Sequence, residues 1–264
     1  GADLPRIDLI TFGSPCQDFS LAGKRKGMEG DRSSLVLEAI RLIGECRPRV
    51  FIWENVKGTF SSNNGEDFAA ILQAFTNIGG YRLEWQLLNT SWFLPQNRER
   101  IYLVGYSTTT KRNWRGVFPI GEGNQSNSEL ECSRKAITKC LTARGQEGHA
   151  GMQLVKVKQI GTKLDSNGGT QPYQQDRVYD AEGIVPALNQ GKSDLIIKNN
   201  YRIRRLTPIE CERLQGFPDN HTAFGNYDGQ VKPMSNTQRY KQCGNAVTVD
   251  VVQAVAEQCK PLFK

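Results

Sequence analysis

Apolar and polar positions alternate along the first 107 residues in a way that predicts strands followed by helices. Four apolar runs have the length and composition of buried strands, at residues 6–12, 49–53, 81–88 and 100–106. Between them, residues 35–43 and 68–78 carry apolar side chains at helical spacing, and the second of these segments stops at Gly79-Gly80. Alternating strands and helices are typical of an α/β domain.

The pattern changes over residues 107–201, where Gly, Ser, Asn, Gln and Thr dominate and apolar stretches are short, which predicts a loop-rich, mostly β small domain. Regular structure returns at Thr207-Pro208-Ile209-Glu210, which combines an N-cap, an early proline and a capping-box glutamate. Asn245 is predicted to cap a last apolar helix that packs back on the first domain. The chain therefore divides into segments 1–107, 108–235 and 236–264.

Charge, hydrophobicity and cysteine spacing limit the kinds of partner and metal site that the sequence allows. Lys and Arg outnumber Asp and Glu by 34 to 27, and the net charge of +7 favours a polyanion such as nucleic acid. No apolar run approaches the roughly 18–20 residues that span a bilayer. The seven cysteines form no C-x-x-C pair and only two histidines accompany them, so a zinc site has little support. A reduced cytoplasmic protein is expected.

Two segments carry residues suited to catalysis. Cys16 stands in a proline-constrained loop just after the first predicted strand, where open α/β sheets place ligand chemistry. Alone it would be read as a small buried hydrophobe. Glu54, however, ends the next predicted strand, and neighbouring parallel strands lie about 5 Å apart. Cys16 and Glu54 are therefore expected to share one pocket.

A third segment pairs two arginines. Arg98 and Arg100 stand two residues apart at the start of a predicted strand, so both guanidinium groups are expected on one face. Two such groups suit a phosphate or a carbonyl-bearing base. A salt-bridged sheet edge is the alternative interpretation.

Taken in order, these strings resemble the motifs of the cytosine-5 DNA methyltransferase family, of bacterial or phage type. Six segments match, from the catalytic loop to the last helix: Pro15-Cys16-Gln17, 31–35, Glu54-Asn55-Val56, Gln96-x-Arg98-x-Arg100, 205–218 and Gly244-Asn245-Ala246-Val247. Each is short, but six in the family's order are specific. The resemblance does not extend through residues 107–201.

The resemblance implies a Rossmann-like, S-adenosylmethionine-dependent methyltransferase fold with a small, mostly β target-recognition domain. It also implies transfer of a methyl group to carbon-5 of a flipped-out cytosine in duplex DNA. Cys16 would attack carbon-6, Glu54 would hydrogen-bond ring nitrogen-3, and Asn55 would hold that loop. Arg100 would contact the base carbonyl, with Arg98 supporting the site.

The same resemblance implies the binding residues. Those expected beside S-adenosylmethionine are Pro15, Leu35, Asn245 and Ala246. Those expected at the DNA are Gln17, Ser20, Lys24, Arg25 and Lys26. The last four lie in the glycine-rich basic segment 20–30, which suits a mobile loop closing over the duplex, with a solvated basic turn as the alternative interpretation. No metal is implied.

The family's first strands and their Gly-rich cofactor turn have no counterpart in this sequence, so the N-terminal βα units, roughly 60–80 residues, are expected to be missing. Three explanations stay open: these units have been removed from the chain, a separate chain supplies them, or the sequence is a degraded copy. Two other functions stay open: a tRNA cytosine-5 methyltransferase on the same scaffold, and a non-catalytic DNA-binding subunit. The long segment 107–201 favours DNA, and its target sequence is not readable from it.

Overall fold

The computed structural model describes residues 6–14, 34–109, 115–121, 159–162, 177–180, 185–188, 196–199 and 202–264. Its strands are β1 (Leu9–Gly13), β2 (Val50–Val56), β3 (Tyr81–Asn89), β4 (Gln96–Asn97), β5 (Glu99–Ser107), β6 (Gln159–Thr162), β7 (Arg177–Asp180), β8 (Val185–Pro186), β9 (Ile196–Asn199), β10 (Arg202–Arg205), β11 (Phe224–Tyr227) and β12 (Gln230–Pro233). Its α-helices are α1 (Ser34–Cys46), α2 (Gly58–Ser61), α3 (Glu66–Asn77), α4 (Pro208–Leu214), α5 (Asn236–Asn245) and α6 (Val249–Cys259).

The chain forms two compact units. The first comprises Gly1–Asn89, Glu99–Gly121 and Gln253–Lys264, and the second comprises Thr90–Arg98 and Glu122–Val252. These units cut the chain at different places from the three predicted segments. The division into a catalytic domain, a recognition domain and a returning helix therefore remains a prediction.

A four-stranded sheet in the order β1-β2-β5-β3 organises the first unit. β1 runs parallel to β2, whereas β5 is antiparallel to both β2 and β3. The buried side chains on one face of this sheet pack with helices α1 and α3 in a single cluster, formed by Val36, Ile43, Phe51, Trp53, Phe68, Ile71, Phe75, Ile101 and Leu103. The predicted α/β fold is thus confirmed, with its core on this face.

Local sequence explains the ends of these elements. α3 begins with Glu66 and Asp67, whose charges favour a helix N-terminus, and ends just before Gly79 and Gly80, which both have positive φ. β2 runs to Val56, three residues beyond the predicted end at residue 53, because it pairs with β5 along its whole length. Glu54 consequently lies within the strand.

The second unit contains a sheet of order β10-β9-β7-β6 and the hairpin β11–β12. The predicted capping box is confirmed: the Thr207 hydroxyl accepts from the Glu210 amide, and the Glu210 carboxylate accepts from the Thr207 amide. Among the described residues, no helix is long and apolar enough to cross a membrane.

The C-terminal helices differ from the prediction. Asn245 is the last residue of α5 and does not cap the final helix, which begins at Val249. The prediction missed α5 because its sequence is mostly polar. Within that helix only Cys243 and Gly244 are buried, and Tyr240 reaches the Leu206 carbonyl through its hydroxyl.

Candidate active site

The site begins where two parallel strands run side by side. Gly13, the last residue of β1, is in register with Glu54 of β2. A Cβ atom on Gly13 would come within 3.2 Å of Glu54 Oε2, so the absent side chain leaves room for the carboxylate. Glu54 therefore lies beside the end of the strand that leads into Pro15-Cys16.

Glu54 pairs with Arg100 on the neighbouring strand. In the antiparallel β2–β5 ladder Arg100 is opposite Val56, which makes Glu54 and Arg100 diagonal neighbours on one face. Arg100 Nε lies 3.1 Å from Glu54 Oε1, and each side chain retains 18% exposure. The result is a fixed but solvent-reachable carboxylate and guanidinium, able to accept and donate hydrogen bonds to a ring with adjacent polar atoms.

Ser14 is anchored on the opposite face of β2. Its hydroxyl accepts hydrogen bonds from Trp53 Nε1 at 3.0 Å and from Asn55 Nδ2 at 2.7 Å. Asn55 is 1% exposed, and its side-chain oxygen accepts from the Val56 amide. Asn55 thus fixes the chain at the residue that precedes Pro15, and it faces away from the Glu54 carboxylate.

Arg98 and Arg100 do not share a strand face. Arg98 lies between β4 and β5, and its guanidinium donates to the carbonyls of Ala246 at 2.7 Å, Gly244 at 3.3 Å and Leu188 at 3.4 Å. The prediction that both guanidinium groups lie on one strand face is wrong, because β5 begins at Glu99 and Arg98 lies before it. Arg100 is therefore the arginine that the structure brings to Glu54.

Two of the predicted cofactor residues line a cavity. Asn245 is exposed and Ala246 half-buried, and with Phe217, His221, Thr222 and Gln242 they border a cavity of about 360 Å³ in the second unit. That volume falls in the range of small-molecule sites, and the Asn245 amide offers both a donor and an acceptor. These features fit the polar amino-acid end of S-adenosylmethionine.

Leu35, which was also predicted to contact the cofactor, lies in the first unit. It stands second in α1 and is 52% exposed, although it is a large apolar side chain. An exposed leucine at this place fits contact with a flat apolar surface such as an adenine ring.

Several predicted residues lie outside the described part of the chain: Pro15, Cys16, Gln17, Ser20, Lys24, Arg25 and Lys26. Their roles remain predictions. Of the described cysteines, Cys211, Cys243 and Cys259 are buried, and burial raises the pKa of the Cys243 and Cys259 thiols to about 12. These two thiols are unsuited to act as thiolate nucleophiles near neutral pH.

Sequence reasoning missed two residues that hold backbone or side chains in place, one in each unit. Ser14 directly precedes Pro15-Cys16, and this position in the sequence is the signal that could have identified it. Gln215 is fully buried, and its amide donates to the Cys243 carbonyl at 2.9 Å, 28 residues away. No local pattern announces that contact.

Comparison with known proteins places these motifs in one family. The family model described as C-5 cytosine-specific DNA methylase matches residues 1–261. The chain is 33% identical over 260 residues to the type II methyltransferase M1.ScrFI of Lactococcus lactis subsp. cremoris, covering 97% of this chain and 63% of that protein. It is 32% identical over 262 residues to the type II methyltransferase M.NlaX of Neisseria lactamica, covering 98% and 78%.

Solved structures agree on the fold. The Entamoeba histolytica methyltransferase EhMeth matches with a TM-score of 0.63 at 16% identity, over 97% of this chain and 78% of that one. A putative DNA modification methyltransferase encoded within an E. coli prophage matches with a TM-score of 0.60 at 19% identity, over 98% and 80%. The predicted methyltransferase fold is therefore confirmed, and the chain belongs to the C-5 cytosine-specific DNA methylase family.

Proposed function

We propose that this chain carries the catalytic residues of a DNA cytosine-5 methyltransferase, which acts on a cytosine turned out of the duplex. The observation that supports this most directly is the Glu54–Arg100 pair beside Gly13, at the end of the strand leading to Pro15-Cys16. Cys16 follows Ser14 by two residues, and two residues of chain span no more than about 7 Å.

The first step is covalent. The Cys16 thiolate adds to carbon-6 of the ring, and the electron pair of the 5,6 double bond moves towards ring nitrogen-3 and makes carbon-5 nucleophilic. Ring nitrogen-3 of cytosine has a lone pair and no proton, so the Glu54 carboxylate must take up a proton from solvent when the base binds and then donate it as a hydrogen bond. Arg100 donates to the base carbonyl and stabilises the charge that develops there.

S-adenosylmethionine would supply the methyl group that carbon-5 accepts, and S-adenosylhomocysteine would leave. In the second unit, Asn245 and Ala246 would contact the amino-acid end of the cofactor. In the first unit, Leu35 would contact its adenine, and Pro15 is a further predicted cofactor contact. Loss of the carbon-5 proton to solvent then restores the double bond, and the Cys16 sulfur leaves carbon-6. The enzyme is returned with its thiolate.

The substrate is duplex DNA. A ring carbon inside a base pair is out of reach of any side chain, so the target base must leave the stack, at a cost of a few kcal/mol. The basic segment containing Lys24, Arg25 and Lys26, together with Gln17 and Ser20, contacts the DNA.

The cofactor site needs more than these residues. The chain spans 63% of the length of the Lactococcus relative, and a separate polypeptide is one proposed source of the family's Gly-rich cofactor turn. The natural protein, with any region or polypeptide that completes it, is therefore the form to assay.

The experiment is covalent trapping. A duplex containing 5-fluorocytosine cannot lose a proton from carbon-5, so the protein should stay attached to it in the presence of S-adenosylmethionine. Denaturing electrophoresis detects the adduct, and peptide mass spectrometry should locate it on Cys16. Cys16→Ala should abolish the adduct and leave DNA binding within about twofold, since one small side chain contributes little beside several phosphate contacts.

Cys46→Ala is the matched control, because Cys46 ends α1 as a half-buried thiol and has no proposed role. That variant should be trapped like the natural protein. An adduct on another cysteine would contradict the mechanism. DNA binding without any adduct would indicate a non-catalytic subunit, and faster methylation of tRNA than of duplex DNA would indicate the RNA substrate.

A further inference from the structure

The end of helix α5 is held by side chains from elsewhere in the second unit. The last four carbonyls of a helix have no partner within it, and here three of them are Gln242, Cys243 and Gly244. The Gln242 carbonyl accepts from the Ala246 amide at 3.0 Å. The next two are taken by Gln215 and Arg98.

Arg98 donates hydrogen bonds to the backbone on both sides of Asn245. The same nitrogen, Nη2, donates to the Gly244 carbonyl before it and to the Ala246 carbonyl after it, at 3.3 and 2.7 Å. Arg98 is 4% exposed, so these contacts are shielded from water. A guanidinium charge at a helix C-terminus also has a favourable interaction with the helix dipole.

Gln215 makes three hydrogen bonds with residues of the same turn. Its side-chain amide donates to the Cys243 carbonyl at 2.9 Å, and its side-chain oxygen accepts from the Thr248 hydroxyl at 3.1 Å. Its backbone carbonyl also accepts from the Val249 amide at 2.9 Å. Gln215 thus ties the last turn of α5 to the first residue of α6.

These hydrogen bonds leave Asn245 exposed on one side of the turn. Cys243, Gly244 and Thr248 are buried, whereas Asn245 is exposed beside the 360 Å³ cavity. The hydrogen bonds from Arg98 and Gln215 therefore hold the backbone of this turn, while the Asn245 side chain stays exposed beside the cavity. Such an arrangement preorganises a ligand contact without touching the ligand.

We infer that Arg98 and Gln215 are positioning residues for the cofactor, acting through the backbone of residues 243–249. This rests on the proposed role of Asn245 and Ala246. Arg98 serves here by fixing the turn that carries Asn245, a role distinct from any contact with the target base. Gln215 has the same role from the other side.

The experiment compares Arg98→Met and Gln215→Met in the natural protein. Both variants keep the bulk of the side chain and remove its donors. Calorimetry with S-adenosylhomocysteine should show affinity weakened by about tenfold to a hundredfold, the range expected when buried carbonyls lose their partners. DNA affinity should change by less than about twofold. The KM for S-adenosylmethionine should rise by more than kcat falls.

A second measurement needs no cofactor. Hydrogen exchange at the amides of residues 245–249, followed by mass spectrometry, should accelerate in both variants. Arg98→Lys keeps the charge and one possible carbonyl contact, so it should recover part of the affinity. It also serves if Arg98→Met fails to fold.

Glu210→Gln is the matched control. It weakens the capping box of α4 in the same unit, at the end of that helix opposite to Gln215. It should lower the melting temperature and leave S-adenosylhomocysteine affinity unchanged. Faster exchange at 245–249 with unchanged affinity would overturn the positioning role alone. Failure of the natural protein to bind S-adenosylhomocysteine at all would overturn it together with the proposed cofactor site.

Discussion

Two carboxylate–guanidinium pairs, one in each unit, differ in the burial of the carboxylate. Glu54 and Arg100 lie on adjacent strands of the first unit and each keep 18% of their side-chain surface exposed. Glu212 is fully buried in the second unit, and its partner Arg239 lies 2.9 Å away and is 13% exposed. The chemistry of the two pairs is the same, so their surroundings must separate their roles.

Glu212 is saturated with donors. Its two oxygens accept from the backbone amides of Asn220 and Thr222, from the Thr222 hydroxyl and from Arg239. Burial by itself would raise the pKa of Glu212, but the hydrogen bonds from Thr222, Arg239 and the backbone outweigh it and lower the pKa below its usual value. A carboxylate with about four acceptor sites and four donors has no capacity left for a ligand.

Glu54, in contrast, is reachable from solvent and lies against Gly13, where no side chain intervenes. The comparison suggests that enclosure distinguishes a carboxylate that stabilises the fold from one that is available for catalysis. The two pairs should therefore respond to substitution in opposite ways.

The largest effect is expected for Glu54→Gln. The amide cannot donate a carboxyl proton to ring nitrogen-3, so kcat/KM should fall by about a hundredfold to ten-thousandfold. The free energy of unfolding should change by less than about 1 kcal/mol, because the ion pair is partly exposed. Methylation kinetics and urea unfolding measure the two quantities.

Glu99→Gln controls for removal of a charge nearby. Glu99 begins β5 and pairs with Lys57 at 2.9 Å, where the two side chains are 34% and 57% exposed. It should change both quantities little. If Glu54→Gln cost more stability than activity, the distinction between the two pairs would be wrong.

Glu212→Gln should show the reverse pattern. Removing one partner of a buried pair typically costs about 3–5 kcal/mol, since Arg239 is left without its counter-charge. The free energy of unfolding should therefore fall by about that amount, far more than any change in kcat measured where the variant is folded. Urea unfolding at neutral pH checks this.

Acid should reduce the difference. Because the folded pKa of Glu212 lies below its ordinary value of 4.5, its stabilising contribution is complete above about that pH and is lost as the pH falls through the lowered value. The gap between the natural protein and Glu212→Gln should narrow below about pH 4.5. A constant gap at all pH values would show that the charge of Glu212 is not what stabilises the unit.

The smallest effect is expected for Gly13→Ala. The new Cβ would lie 3.2 Å from Glu54 Oε2, which is close enough to displace the carboxylate by a few tenths of an ångström. We expect kcat to fall by about threefold to tenfold, since small misplacements of catalytic groups are costly. Gly44→Ala in α1 meets no atom within 4 Å and should leave kcat unchanged. Equal kcat in both variants would show that the approach at Gly13 does not matter.

Much of the fold could be predicted from local signals. Helix α3 ends at Asn77, just before Gly79-Gly80, and α4 begins at the Thr207 capping box, because turn and cap residues act within a few positions of the chain. The polar helix α5 escaped prediction, since a helix that buries little apolar surface has a weak periodic signal. Its existence depends on Tyr240 and Cys243 packing with the cluster around Leu206.

By itself, the sequence determined the order of the motifs, the family and the candidates Glu54 and Arg100, because strand periodicity and short motifs are local properties of the chain. Only the tertiary structure decided that Arg100 meets Glu54 while Arg98 binds the carbonyls of residues 244 and 246. The physical reason is that ladder register selects the partner of Arg100, and contacts spanning 146 and 148 residues select those of Arg98. Neither choice is written in the residues adjacent to the two arginines.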